Sequence, residues 1–286
     1  MKDTLILLRL PFSYFLMPVY FFALSMTPEI DPLKAILIFI VLHLLIFPSS
    51  NAYNSYMDQD EGPIGGLKDP PKATKQLYYA ANVLDGLGLI LSLLVNIPFM
   101  IGTLIYILAS RAYSYKGIRL KKYPFGGFLI VAGVQGGITF LSVMLGLNKE
   151  HFSFRQIIEL LPAALGSMLL LGGAYPLTQI FQHEEDKKAG DISISLWLGY
   201  RGTFLFSGAC FIMANLILFF YFQKQNNLMP FNLLQIFLLP TVIYFLYWFY
   251  LVFKDSKQAS FEKTMVMNII SSTCLNACFI TCTILF

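Results

Sequence analysis

Two short segments concentrate the side chains that could bind a metal–phosphate group. The first runs from Asn54 to Gly62, and the second runs from Gln179 to Asp191. Between them they hold seven of the chain's 16 acidic residues, namely Asp58, Asp60, Glu61, Glu184, Glu185, Asp186 and Asp191. Magnesium in proteins is usually held by one or two carboxylates together with the phosphates of a substrate. The two segments therefore suggest a magnesium–diphosphate site.

The spacing inside each segment is helical. Asn54 and Asp58 are four residues apart and share one face of a helix, and Gln182 and Asp186 repeat that relation. A glycine then marks a turn into a loop. We expect the two segments to end two helices that face each other. The alternative is that these polar residues only cap solvated helix ends.

Basic residues accompany the acidic clusters. Lys68 follows the first cluster, and a loop further along contains Arg119 and Lys121 close to Tyr115. Cations in these places would neutralise a diphosphate, whose negative charge grows as its ester bond breaks. We therefore expect these four residues to contact the phosphates. Alternatively, they satisfy only membrane topology and anionic lipid headgroups.

One acid lies inside an apolar block. Asp85 follows Thr74 by a helical distance of about 16 Å, where an acid costs about 2.5–3.5 kcal/mol on insertion scales. Asn82 shares its helical face. We expect both side chains to bind substrate. The alternative is that Asp85 pairs with another buried polar group, such as Gln135 or Tyr175, and joins helices.

The elements that carry these residues are apolar blocks of membrane-spanning length. The chain is 57% hydrophobic and 13% charged, with a mean hydropathy of +0.66, whereas soluble domains carry about 25% charged residues. The blocks cover about 5–26, 33–55, 74–96, 98–113, 125–146, 157–180, 200–222, 232–253 and 264–285. Backbone polar groups in lipid must be satisfied internally, so these blocks must be helices. The sequence predicts an all-α, polytopic membrane bundle of about nine transmembrane helices.

Lys and Arg indicate the orientation of the bundle. With a cytoplasmic N-terminus, only Lys34, Lys149, Arg155 and Lys224 of the 20 positive residues lie outside. This asymmetry follows the positive-inside rule. It predicts cytoplasmic acidic segments and an external C-terminus, in an integral protein of a bacterial plasma membrane. The net charge of +4 follows from topology and gives no reason to propose a nucleic-acid partner.

At the acidic segments, the chain resembles the UbiA-type intramembrane prenyltransferases. That family carries an Asn-x-x-x-Asp-x-x-x-Asp motif after the second span and another Asp-rich motif after the sixth. Asn54 and Asp58 match the first motif, and Asp186 followed by Gly190 matches the second. The resemblance extends over nearly the whole chain. It includes Leu8 to Ser13, Tyr113-Ser114 with Arg119 and Lys121, and Ser195 to Gly199.

Two motif positions depart from the family pattern. Gly62 and Gln182 stand where the family has Asp, so the chain resembles a divergent branch. Asp60 or Glu61 could compensate in the first motif, and Glu184 or Glu185 in the second. The resemblance implies catalytic roles for Asn54, Asp58 and Asp186. It implies a metal-binding set of Asn54, Asp58, Asp60, Glu61, Gln182, Glu185 and Asp186.

The resemblance also implies a fold and a reaction. One transmembrane prenyltransferase-like domain, residues 1–286, would surround a central cavity capped by cytoplasmic loops. Two Mg²⁺ ions would bind an isoprenyl diphosphate, and a hydrophobic, aromatic acceptor resembling a quinone precursor would receive the prenyl group. This activity would belong to prenylquinone biosynthesis.

Two other functions stay open at this point. The chain could be a transporter or a non-catalytic lipid-binding membrane protein, which would use acids within the bundle such as Asp85 and Glu159. It could also be a non-catalytic family member, as Gly62 and Gln182 suggest. His183 could act as a base or as a hydrogen-bond donor to phosphate, although a lone loop histidine is more often only solvated.

Overall fold

The computed structural model describes residues 2–148 and 153–286. Within these ranges, nine helices are long and apolar enough to cross a membrane. In chain order, the first to ninth spans are Lys2–Ser25, Pro32–Asp58, Lys75–Val95, Ile97–Ser114, Pro124–Leu147, Phe154–Gln179, Ile194–Lys224, Met229–Lys254 and Phe261–Leu285. The predicted all-α membrane bundle is confirmed. Lys149, one of the predicted external residues, lies outside the described residues.

The first span is not the uninterrupted helix that its apolar block predicts. An α-helical turn, Lys2–Leu7, is followed by a 3₁₀ segment, Leu10–Leu16, and by an α-helix, Met17–Ser25. Arg9 lies at the break with a φ of 48°, in the left-handed region. Pro11 comes two residues later and has no N–H to continue the helical ladder. The break turns Arg9 toward the interior of the bundle.

Two other spans contain wide turns. Ile40–Ile46 in the second span and Ile130–Ile138 in the fifth span are π-helical. Such wide turns often occur at functional sites, because they redirect side chains. In the fifth span the π-helical segment brings Val134 and Gln135 to the wall of the central cavity.

The spans form a closed ring. The first span packs against the ninth, and contacts continue through the eighth, seventh, sixth, fifth and fourth spans to the second, which returns to the first. The third span lies outside this ring, against the second and fourth. The second and fifth spans are the most buried, whereas the third and eighth are among the most exposed. This arrangement leaves a cavity along the axis of the ring.

Close contacts between backbones hold neighbouring spans together. A Cβ at Gly136 in the fifth span would lie 2.8 Å from Met168 Cα in the sixth, so only glycine fits there. Ser167 donates a hydrogen bond of 3.0 Å to the Gly136 carbonyl. Small residues at such crossings are typical of membrane helices. Asn96 caps the fourth span by accepting from Phe99 N–H at 2.9 Å, which makes the connection from the third span very short.

The connections after the second and sixth spans carry the acidic segments. The second span ends at Asp58, and the next residue, Gln59, has a left-handed φ of 55°. After the sixth span, the chain forms a short helix, His183–Ala189, which ends at Gly190 with a φ of 71°. Glycine adopts this left-handed conformation without steric cost. Both acidic segments therefore meet at one end of the ring, which we call the motif end.

Candidate active site

A cavity of about 370 Å³ extends from the motif end into the bundle. This volume lies within the range of small-molecule sites. Among the residues that the structure describes, every span except the third contributes to its lining. The motif end of the wall is charged. The wall deeper in the bundle is mostly apolar and aromatic, and includes Phe15, Phe22, Phe47, Val134, Leu275 and Phe279.

The first acidic cluster lies on the last turn of the second span. Asn54 donates to Asp58 Oδ2 at 2.7 Å, as their four-residue spacing predicts, and to Ser114 Oγ at 3.1 Å. The Asp58 side chain is 3% exposed, and both of its oxygens are paired, Oδ1 with Arg119 and Oδ2 with Asn54 and Lys121. Asp60, just beyond the helix end, also lines the cavity. The cluster thus presents one amide and two carboxylates to the cavity.

The second acidic cluster lies on the short helix His183–Ala189. Asp186 and Glu185 line the cavity, as does Gln182 at the start of this helix. Asp186 Oδ2 accepts a hydrogen bond of 2.5 Å from Ser193 Oγ. Ser193 caps the seventh span, so this bond fixes the second cluster to the beginning of the next transmembrane helix.

The loop after the fourth span connects the clusters electrostatically. Arg119 donates to both Asp191 carboxylate oxygens, at 2.8 Å each, and to Asp58 Oδ1 at 3.3 Å. Lys121 Nζ lies 2.7 Å from Asp58 Oδ2 and 3.4 Å from Asp191 Oδ2. Arg119 and Lys121 line the cavity. The expected grouping of Asn54, Asp58, Asp186 and these two cations is present.

The acids of the site are crowded even with these cations present. Burial, followed by the charge of Asp58, raises the pKa of Asp60 to about 6. Burial also raises the pKa of Asp186 to about 6, and the neighbouring charges of Asp191 and Glu185 act in the same direction. Unfavourable desolvation of this kind makes the carboxylates good partners for a further cation.

These residues fit a hard divalent cation. The donors are carboxylate and amide oxygens, which Mg²⁺ prefers. Within residues 2–148 and 153–286, no three His, Cys, Asp or Glu side chains form a ready-made metal cluster. Asp58 is instead bound by Arg119 and Lys121. This agrees with Mg²⁺ sites that use few protein carboxylates and complete their coordination with substrate phosphates and water.

The sequence did not identify Arg9 as a site residue. It lines the cavity, is buried, and donates to the carbonyls of Asn51 at 3.0 Å and Gly65 at 3.2 Å. Its guanidinium also lies 5.6 Å from the centre of the Phe12 ring. An arginine within an apolar block is a functional candidate by default. That signal could have identified Arg9, which lies in the Leu8–Ser13 segment of the family resemblance but was not predicted to line the site.

Several expected residues lie elsewhere. Glu61 is exposed and is not part of the cavity wall, and Glu184 is an exposed partner of Lys187 at 3.3 Å. Tyr115 is 49% exposed and also lies outside the wall. Lys68 forms an exposed ion pair of 2.7 Å with Glu262 on the ninth span. The loops and the short helix that carry these residues leave these side chains exposed to solvent.

Asp85 and Asn82 are not brought to the cavity either. Asp85 pairs with Arg111 of the fourth span and accepts from Ser49 Oγ at 2.5 Å. Asn82 is exposed and donates to the Tyr78 carbonyl one turn earlier. The structure therefore favours the helix-joining interpretation of Asp85. Its partner is Arg111, and neither Gln135 nor Tyr175, because the third span packs outside the ring.

Two further expectations concern acids and a histidine. Glu159 is exposed and pairs with Arg155 at 3.2 Å, so it does not continue a polar path through the bundle. His183 is 3% exposed, shares a hydrogen bond of 2.8 Å with Ser195 and stacks on Tyr200. The expectation that it is solvated is wrong. Burial lowers the pKa of His183 to about 4, so it is a neutral packing residue at pH 7.

Solved structures share this architecture. A UbiA homolog from Archaeoglobus fulgidus bound to DMAPP and Mg²⁺ has a TM-score of 0.73 and 17% identity, covering 99% of this chain and 100% of that one. A digeranylgeranylglyceryl phosphate synthase has a TM-score of 0.64 and 23% identity, covering 100% and 99%. A local match, 32% identical, joins 28% of this chain to 36% of a probable sporulation protein, YtaF, from Bacillus subtilis (strain 168).

The sequence pattern of a protein family gives the wider assignment. The pattern of the UbiA prenyltransferase family matches residues 15–271 of the 286-residue chain. That range includes both acidic clusters and the loop that carries Arg119 and Lys121. The resemblance drawn from the motifs is therefore confirmed, and the chain belongs to the UbiA prenyltransferase family.

Proposed function

We propose that this protein transfers a prenyl group from an isoprenyl diphosphate to a hydrophobic acceptor inside the membrane, with the assistance of Mg²⁺. One observation carries the proposal. Asp58 and Asp186, from two separate clusters, line the same charged end of a cavity whose deeper wall is mostly apolar. Such a cavity matches the two ends of a prenyl diphosphate. The DMAPP and Mg²⁺ bound by the Archaeoglobus homolog support it.

The charged end would bind the diphosphate. Asn54, Asp58 and Asp60 would hold a divalent cation on one side, and Asp186 would hold one on the other. When bound, Mg²⁺ neutralises phosphate oxygens and stabilises the charge that develops on the leaving group. The site is thus suited to breaking the carbon–oxygen bond of an allylic diphosphate.

The basic side chains would contact the same phosphates. Arg119 and Lys121 now bind Asp58, at 3.3 and 2.7 Å. A cation on Asp58 would compete with these contacts and would release the two side chains toward phosphate oxygens. Arg9 approaches from the first span and has a buried Nε without a hydrogen-bond partner. Preorganised donors of this kind stabilise a leaving group more strongly than water does.

The apolar wall would hold the prenyl tail and exclude water from the reacting carbon. Burial of a tail contributes about 0.8 kcal/mol for each CH₂-sized group. Bond cleavage would leave an allylic cation in the cavity, whose wall includes the aromatic side chains Phe15, Phe22, Phe47 and Tyr106. Aromatic faces attract cations. They also offer stacking surfaces to a planar acceptor.

We infer that the acceptor is aromatic and resembles a quinone precursor, which would place the enzyme in prenylquinone biosynthesis. The aromatic lining supports this choice. An electron-rich ring would attack the allylic cation, form the new carbon–carbon bond and then lose a proton. We further propose that the motif end faces the cytoplasm and the C-terminus faces outward, in a bacterial plasma membrane. The distribution of Lys and Arg supports this orientation.

A transfer assay on the purified protein in lipid nanodiscs tests the proposal. Labelled prenyl diphosphates of increasing length are combined with a panel of aromatic acceptors, with Mg²⁺ or with a chelator. We expect a prenylated lipid product that requires Mg²⁺ and at least one acceptor. Magnesium-dependent binding of the diphosphate without turnover on any acceptor would instead indicate a non-catalytic family member. Absence of both binding and turnover would refute the proposal.

A further inference from the structure

The two positions that lack the family's aspartates meet in space. Gln182 Nε2 donates a hydrogen bond of 3.2 Å to the carbonyl of Pro63, the residue after Gly62. An ionised aspartate at position 182 could not donate this bond, because a carboxylate is only an acceptor. Gln182 therefore ties the loop of the first cluster to the short helix of the second cluster.

This contact places Gly62 directly against Glu185. A Cβ at position 62 would overlap Glu185 Oε1, and it would lie 3.1 Å from Oε2. All three of its nearest heavy atoms belong to the Glu185 carboxyl group. The φ angle of Gly62 is not in the positive range, so its backbone would accept a side chain. The Glu185 carboxylate fills the space that a side chain at position 62 would occupy.

Glu185 also belongs electrostatically to both clusters. Its charge is among the causes that raise the pKa of Asp60, after burial and the charge of Asp58, and it acts on Asp186 as well. The Glu185 side chain lines the cavity together with these three aspartates. Its neighbour Glu184 points outward and pairs with Lys187. Only one of the two adjacent glutamates can therefore serve the site.

We propose that Glu185 is a metal ligand of the first acidic cluster, supplied across the cavity mouth in place of a side chain at position 62. Gln182 positions it by holding the Gly62–Pro63 loop against the short helix. The inference rests on the proposed function, since it assumes that the cavity binds a divalent cation with a diphosphate. It deepens that function by assigning one carboxylate to a ligand position that the first segment lacks.

The test measures binding of Mn²⁺, as a probe for Mg²⁺, in the presence of a prenyl thiolodiphosphate that does not ionise. Free Mn²⁺ is measured by electron paramagnetic resonance. The variants are Glu185→Gln, which keeps the shape of the side chain, Glu185→Ala, and the double variant Gly62→Asp/Glu185→Ala. Glu184→Ala is the matched control. Thermal unfolding in the same detergent verifies that each variant is folded.

We expect Glu185→Gln and Glu185→Ala to weaken Mn²⁺ binding by at least about tenfold, since even outer-shell partners cost 10- to 100-fold in metal affinity. Glu184→Ala should bind Mn²⁺ as the wild type does. The double variant should recover most of the lost Mn²⁺ affinity, because the aspartate at position 62 returns a carboxylate to the same space from the Gly62–Pro63 loop.

Unchanged Mn²⁺ binding in folded Glu185→Gln would overturn the inference while leaving the proposed function intact. A double variant that binds no better than Glu185→Ala would also overturn it, because position 62 would then not share the ligand site. If the wild type binds no Mn²⁺ with the thiolodiphosphate, the proposed function and the inference both fail.

Discussion

Arg119 donates two parallel hydrogen bonds of 2.8 Å to Asp191, from Nε to Oδ1 and from Nη2 to Oδ2. This bidentate geometry is the strongest form of an arginine–carboxylate pair. The bond from Ile192 N–H to the Lys122 carbonyl, 3.1 Å, runs beside it. Asp191 therefore holds the basic loop over the cavity, although it does not belong to either predicted motif position.

The first prediction concerns the contact between Arg119 and Asp191. Asp191→Asn removes the charge and can accept only one of the two bonds. Hydrogen bonds to charged groups are worth about 1.5–3 kcal/mol. We expect KM for the prenyl diphosphate to rise about tenfold, equivalent to about 1.4 kcal/mol, with a smaller change in kcat.

Glu184→Gln is the control for Asp191→Asn, because it breaks an exposed ion pair with Lys187 outside the cavity. It should leave both kinetic constants unchanged. A fall in kcat with unchanged KM in Asp191→Asn would contradict a role in positioning Arg119 for substrate binding.

The second prediction concerns pH. Asp60 and Asp186 have pKa values raised to about 6 from an ordinary value near 3.8. The folded state therefore holds more protons than the unfolded state between about pH 4 and 6, and these two groups lower the stability of the metal-free protein as pH rises through this window. Above pH 6 both are carboxylates that a divalent cation can bind.

Melting temperatures measured with and without Mg²⁺ and a prenyl thiolodiphosphate test this prediction. The ligands should raise the melting temperature clearly at pH 7.5 and much less at pH 5, because protons compete with the metal at the lower pH. Equal stabilisation at both pH values would show that these carboxylates do not bind the metal.

The third prediction separates structure from substrate binding in the third span. Asp85→Asn leaves Arg111 without its charged partner between the spans. Breaking a fully buried pair costs about 3–5 kcal/mol, and the remaining exposure of this pair, 14% and 18%, reduces that cost. We expect easier unfolding in denaturing detergent with an unchanged KM for the diphosphate.

Asn82→Ala provides the comparison for Asp85→Asn, since Asn82 lies one turn away and is exposed. It should change neither stability nor KM. A folded Asp85→Asn protein with impaired acceptor binding would restore the substrate-binding role that the sequence suggested for Asp85.

The fourth prediction contrasts two lysines of the motif end. Lys121 lines the cavity and contacts Asp58, whereas Lys68 pairs with Glu262 in solvent. Lys121→Ala should lower kcat/KM by about a hundredfold, as expected for loss of one donor to a developing anion. Lys68→Ala should retain wild-type kinetics. An equal loss of kcat/KM in both variants would mean that the two lysines act only through the overall positive charge of the motif end and not through direct contacts.

Much of the fold could be predicted because membrane helices are recognised from the length of their apolar blocks. A block of about 20 apolar residues has few other solutions in lipid. Pro11 signals an interruption near Arg9, but the inward direction of the Arg9 side chain could not be predicted, since its acceptors are the carbonyls of two distant residues, Asn51 and Gly65. The periodicity of apolar residues within one segment does not indicate contacts with distant segments.

The site was predictable where its residues share one helix. The bond from Asn54 to Asp58 follows from four-residue spacing alone. Asp60 lines the cavity, whereas the adjacent Glu61 is exposed. Because the helix ends at Asp58, the path of the following loop determines which of these two side chains faces the cavity. Lys68 shows the same limit, as its partner Glu262 is 194 residues away.

The central claim is that Asp58 and Asp186 together hold the metal–diphosphate group of a prenyl donor. The most direct measurement is the magnesium-dependent transfer of a labelled prenyl group by the wild type and by the Asp58→Ala and Asp186→Ala variants, each verified as folded. We expect the wild type to turn over and each variant to lose at least about a hundredfold in kcat/KM. Unchanged turnover in both variants would contradict the claim.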